Sequence, residues 1–203
     1  MGVAEVISER LADGELVIID GGTGSQLQAE GVPMDDVVWC ARANLEQPDV
    51  VQRVHEAYIR AGAEVIIANA FAASRAALEP AGLGSRVGEA NRSAVGAALR
   101  AREAAADRPV LVAGSMSSFC PAAINAGAAG SPRGRPGSED SRFPGLADFR
   151  EQAELLTEAG VDLIVLEMID ARGYGRAALQ AAAETGLPVW LGISPVRLDD
   201  GTS

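Results

Sequence analysis

The residues Ile18-Ile19-Asp20-Gly21-Gly22-Thr23-Gly24 set one carboxylate beside three glycines at the end of an apolar run. Val17, Ile18 and Ile19 read as a buried strand that closes on Asp20. Glycines let the chain turn sharply and let a ligand approach the backbone, because no Cβ intervenes. An acid at a strand end beside bare N–H groups suits both halves of an amino acid. The carboxylate takes the ammonium, and the amides take the substrate carboxylate. The same residues also describe a tight strand-to-helix turn with a capping aspartate, and the segment by itself supports either reading.

Four more apolar runs finish on small or polar groups. Val65-Ile66-Ile67-Ala68 ends on Asn69, Val110-Leu111-Val112-Ala113 on Gly114-Ser115, Leu163-Ile164-Val165-Leu166 on Glu167, and Val189-Trp190-Leu191-Gly192-Ile193 on Ser194. Continuous apolar runs are what a parallel sheet covered on both faces requires. In a parallel barrel every carboxyl end faces one rim, where active sites lie. In an open doubly wound sheet the same ends meet a crevice. Either arrangement brings Asp20 and Glu167 within reach of each other. Any one of these residues could merely cap the next helix; five together point to a site at that rim.

The segments between these runs read as helices. Pro48 suits a first helical turn, and Val50, Val51, Val54, Ala57, Tyr58 and Ala61 follow helical spacing behind it. Residues 88–106 and 173–185 are alanine-rich, and Phe149, Ala153, Leu156 and Ala159 stripe residues 146–159. Three helices end in a repeated phrase: Ala61-Gly62-Ala63-Glu64, Ala159-Gly160-Val161-Asp162 and Thr185-Gly186-Leu187-Pro188. A glycine there ends a helix before a short turn and a strand. The order βαβαβαβαβ is an α/β architecture with right-handed crossovers. Residues 121–145 break the rhythm with Gly, Pro, Ala and Ser plus Arg133, Arg135 and Arg142. So long a stretch reads as a mobile active-site loop or as plain disorder.

Composition narrows the classes. Seventeen basic against 28 acidic residues leave a net charge of −11, which argues against nucleic acid or an anionic membrane as partner. No apolar run approaches the ~20 residues that span a bilayer. Glu5, Glu9, Arg10 and Asp13 are unlike a signal peptide, and Val6 stands where a myristoylation motif needs Ser or Thr. The two cysteines, Cys40 and Cys120, lie far apart and give no disulfide framework, which suits a reducing cytoplasm. Leu27 stands where a dinucleotide fingerprint needs its third glycine, and no phosphate-loop Gly-Lys-Ser/Thr occurs. The single histidine, His55, falls on the helix after Pro48, a full helix away from the rim, and reads as structural.

Taken in order, Asp20-Gly-Gly-Thr-Gly24, His55-x-x-Tyr58-x-x-Ala61-Gly62-Ala63, Asn69-x-Phe71, Ala113-Gly114-Ser115, Ala159-Gly160-Val161-Asp162 with Glu167-Met168, and Gly186-Leu187-Pro188-Val189-Trp190 resemble the homocysteine S-methyltransferase family from about residue 15 onward. The resemblance implies a (β/α)8 TIM-type barrel, represented here by about its first five βα units, against about 250 residues for a whole barrel. It implies methyl transfer from a small donor to the homocysteine sulfur, giving methionine. Asp20 and Glu167 would bind the substrate amino group, Gly21 and Gly22 the carboxylate, with Asn69 beside them. The family also holds zinc through three cysteine thiolates, which keep the acceptor sulfur ionised. Those cysteine motifs are absent from this chain, and neither Cys40 nor Cys120 stands in one. Ala70 replaces the usual Thr before Phe71, and Met116-Ser117-Ser118-Phe119 replaces a short apolar-Gly-Pro run.

Three readings follow. In the first, residues 1–203 are one truncated homocysteine-binding domain, cytoplasmic, with amino-acid recognition but no zinc site and no transfer by itself. In the second, five strands form an open doubly wound sheet that binds a small ligand without catalysis. In the third, the barrel is split, and an oligomer or complementing chain supplies the remaining units. Strand order separates the first from the second: a barrel segment keeps sequential order, and a doubly wound sheet reverses.

Overall fold

A computed structural model describes residues 3–118, 144–169 and 174–193. Four parallel strands form one sheet in the order β1-β2-β3-β4: β1 Val65–Ile67, β2 Leu111–Ser117, β3 Leu163–Ile169 and β4 Val189–Ile193. The order never reverses, which is the order of a barrel segment and not of a doubly wound sheet.

The expected first strand, residues 16–20, is reduced to a single parallel bridge between Ile19 and Val65. Glu64 N–H donates to Ile18 O at 2.8 Å and Asp20 N–H to Val65 O at 3.0 Å. Beyond that point the Asp20 side chain, not the main chain, takes the next donor: Oδ2 accepts from Ile67 N–H at 2.9 Å. Pairing stops because the chain turns away at Gly21 and the carboxylate completes the ladder. The Asp20 side chain thereby stands level with Ile67, the last residue of β1.

Four of the helices, those near residues 48–61, 88–106, 146–159 and 173–185, lie close to where the sequence places them. The described α-helices number eight. They are α1 Val3–Ala12, α2 Thr23–Ala29, α3 Ala43–Glu46, α4 Pro48–Ala61, α5 Arg75–Leu78, α6 Val87–Ala105, α7 Leu146–Glu158 and α8 Tyr174–Glu184. Gly62, Gly160 and Gly186 end α4, α7 and α8 at φ of +117°, +95° and +76°, a backbone region closed to most side chains. The buried face of α4 differs from expectation. Val51, Val54, His55 and Ile59 are buried, whereas Ala57 and Ala61 are exposed. The smaller alanines yield the inward positions to residues that bury more apolar area.

Side chains alternate across the sheet, as the pleat requires. Ile66, Val112, Met116, Ile164 and Leu166 pack outward against Ile59, Val95, Ala98, Phe149 and Leu156 of the surrounding helices. Val65, Leu111, Ala113, Leu163 and Val165 form the inner face, with Val17, Ile67 and Trp190 beside them. α1 covers that face by inserting Ile7, 3% exposed. Arg10 fastens α1 in place through Glu64 at 2.6 Å, Glu15 at 2.8 Å and the carbonyl of Leu16 at 3.0 Å.

Expectations for loop 121–145 fall mostly outside the described residues, as do Cys120 and Ser194. Gly145 is described; it precedes α7 and donates its N–H to Asp148 Oδ2 at 2.8 Å. No helix among the described residues is long and apolar enough to cross a membrane.

Candidate functional site

Asp20 is 9% exposed. Burial pushes its carboxyl up to about 7, helped by the negative charge of Glu167 and opposed by the Ile67 N–H. Glu167 lies near the end of β3, where the β3–β4 register shifts between Leu166 and Ile169. Such an irregularity re-aims a strand-end side chain. Burial also pushes Glu167 above the usual carboxylate range, and a hydrogen bond from Ser115 Oγ opposes that rise. Two carboxyls thus share one poorly solvated region and raise each other's cost of ionisation. A bound cation relieves both.

Gly21 and Gly22 form the exposed turn after Asp20. A Cβ on Gly21 would stand 3.0 Å from the Tyr58 ring, so a side chain there would press that ring back against α4. Gly22 is the N-cap of α2. Gly24 is tighter still: a Cβ there would stand 2.6 Å from the indole of Trp39. Trp39 meets Phe71 edge-on, with ring centroids 6.0 Å apart. Trp39 and Met168 are the described non-glycine residues with positive φ, at +48° and +52°. Strain of this kind collects at ligand sites, and here both residues adjoin groups of the candidate site.

Asn69 is 5% exposed and bound into the protein. Its Nδ2 donates to Cys40 O at 3.1 Å and to Asn44 Oδ1 at 2.9 Å, and its Oδ1 accepts from Cys40 Sγ–H at 3.0 Å. Asn44 returns a bond to Asn69 O at 2.7 Å. The side chain therefore locks the Cys40–Asn44 segment to the end of β1, and both its donors are spent there.

Two groups emerge that the sequence reading undervalued. Ser115, read only as a polar strand end, holds Glu167. Inward alternation of Ala113 and Ser115 beside β3 was the available signal. His55, expected a full helix from the rim, stands with Nδ1 at 3.9 Å from Asp20 Oδ2. The correction follows from the rotation of α4, which turns His55 inward with Val51, Val54 and Ile59.

The described residues do not fit a thiolate metal centre. No group of three or more His, Cys, Asp or Glu among them could hold a metal ion. Burial pushes the Cys40 thiol up to about 12, so it stays protonated at neutral pH and its proton is engaged by Asn69.

Comparison with known proteins places these features in context. A family described as homocysteine S-methyltransferase matches residues 17–203. Homocysteine S-methyltransferase 2 of Zea mays is 30% identical over 205 residues, covering 93% of this chain and 59% of that protein. The homocysteine methyltransferase MmuM from Escherichia coli, oxidized form, superposes with a TM-score of 0.69 at 26% identity, over 96% of this chain and 68% of that one. Its metallated form gives a TM-score of 0.69 at 25% identity, over 95% and 69%. The chain thus spans about six-tenths of the length of the curated relative, 59%.

Proposed function

The chain belongs to the homocysteine S-methyltransferase family, and we propose that its strand-end rim recognises the amino-acid half of homocysteine, the methyl acceptor. One observation carries the reading. Asp20 and Glu167 are two carboxyls, both pushed up by burial, with Glu167 adding to the rise at Asp20. A substrate ammonium between them offsets the mutual repulsion and the lost hydration. Gly21 and Gly22 offer the turn where a substrate carboxylate approaches the backbone.

For the whole protein we propose methyl transfer from a small donor to the homocysteine sulfur, giving methionine, with zinc as the family metal. The described residues hold no thiolate set for that ion. In this reading the described residues serve recognition, and transfer draws on groups outside them. A cytoplasmic setting agrees with the two widely separated cysteines.

Calorimetric titration with L-homocysteine tests the assignment. The chain should bind it, and Asp20→Asn or Glu167→Gln should each weaken binding by about 10-fold or more, as for a lost charge-assisted contact. The thiol acid that lacks the amino group should bind far more weakly. Equal affinity for the two compounds would sink the reading. Zinc-dependent turnover by these 203 residues alone would refute the separation of recognition from transfer.

A further inference from the structure

Four buried side-chain polar atoms among the described residues lack a hydrogen-bond partner: Asp20 Oδ1, His55 Nδ1, His55 Nε2 and Gln152 Oε1. Three of the four belong to one facing pair. A buried polar atom left unpaired costs on the order of 1–3 kcal/mol, so such atoms are rare and each needs a reason. Of these three, His55 Nδ1 faces the Asp20 carboxyl, so a small shift of the ring would give it an acceptor there.

His55 is fully buried, and its Nδ1 is the nitrogen turned toward Asp20, at 3.9 Å from Oδ2. Closing that gap by about 1 Å brings the pair to N–H···O length. An apolar side chain would fill the interior of α4 at lower cost than an unpaired imidazole, as Val51, Val54 and Ile59 do on the same face. The groups that face Asp20 are few. Ile67 N–H donates to it from β1, Glu167 repels it from β3, and Tyr58 and His55 approach from α4. His55 carries no proton beyond its neutral form near pH 7, since burial pulls it down to about 4. A neutral ring has one N–H, and only placement on Nδ1 directs it at the acid.

We propose that His55 is the positioning residue of Asp20: its neutral ring donates Nδ1–H to the Asp20 carboxylate and leaves Oδ1 for the substrate ammonium. The inference rests on the reading of Asp20 as an ammonium acceptor. With Ile67 N–H and His55 Nδ1–H both donating, the ionised carboxylate is favoured over what burial alone would allow and is kept in one orientation before the ligand arrives. That is the preorganisation a short, buried acid needs.

The chain has a single histidine, so nitrogen-15 NMR of the histidine-labelled full chain reads this ring without ambiguity. The expected spectrum shows Nδ1 protonated and Nε2 bare, unchanged from about pH 8 down to about pH 5.5, where a buried neutral histidine does not yet titrate. Protonation of Nε2 instead overturns the proposal. A second readout is the pH profile of homocysteine affinity. His55→Phe should move its midpoint upward by about one unit, the size of one lost hydrogen bond to a carboxylate. His55→Gln, which keeps an amide donor, should return it part of the way. An unmoved midpoint in folded His55→Phe would assign the ring to packing alone. Absence of homocysteine binding by the unaltered chain refutes the rim assignment itself, and the tautomer still decides the His55 contact.

Discussion

Asp20 and His55 both cost folding free energy, with opposite dependence on pH over nearly the same range. Asp20 binds its proton up to about 7 when folded, against an ordinary value of 3.8. Between those values the native state holds more protons than the unfolded state, so its contribution to stability falls as pH rises. His55 titrates near 4 when folded, against 6.5. Between those values the unfolded state holds more protons, so its contribution falls as pH drops. Relative to the unaltered chain, Asp20→Asn should therefore gain stability as pH rises from about 4 to about 7, by up to a few kcal/mol. His55→Gln should gain as pH drops from about 6.5 to about 4. Urea titrations across that range measure both trends, and two parallel profiles would refute the pairing of costs. Asp20 serves a cation only when ionised, so affinity for homocysteine should also climb as pH rises through about 7.

At the scale of elements, the site depends on how closely β2 lies against α7. A Cβ on Gly114 would meet Leu156 at 3.1 Å and 3.2 Å and Ile164 at 3.3 Å. Gly114→Ala should cost about 1–3 kcal/mol by overpacking. It should also weaken homocysteine binding, because Ser115 and its hold on Glu167 move with the strand. Thermal melts and calorimetry check the two effects, and an unchanged melting point would show that Leu156 yields freely. Long apolar runs and terminating glycines made β1 to β4, α4, α6, α7 and α8 readable in the sequence. The short elements were not. α2, α3 and α5 carry few periodic positions, and α5 is marked chiefly by the cap of Ser74 Oγ on Ala77 N–H at 3.3 Å. Asp20 and Glu167 were legible as strand-end acids because each closes an apolar run. His55 was misjudged because the faces of an alanine-containing helix differ little in hydrophobicity, and its phase is set by packing against β1 and α6. Asn69 was legible as a rim residue, but its bonds to Cys40 and Asn44 span 29 and 25 positions and leave no local trace.

Among the described residues the sheet has two edges without a partner strand. On one side Leu16, Ile18 and Ile19 are 86%, 57% and 50% exposed; on the other Leu191 and Ile193 are 46% and 62% exposed. Unpaired strand edges with apolar side chains invite further pairing. The net charge of −11 opposes close approach of two copies but is screened by salt. Self-association should therefore grow with protein and salt concentration, and Ile19→Lys or Ile193→Lys should reduce it. Sedimentation velocity measures this, and a single monomeric species at every concentration would count against a split or complemented barrel. The clasp of α1 has a different consequence. The family model matches from residue 17, yet Ile7 packs on the inner face and Arg10 ties Glu64 to Leu16. The span that the family model matches and the span that covers this sheet are therefore of different length. A segment cut to the first would leave the floor of the sheet uncovered.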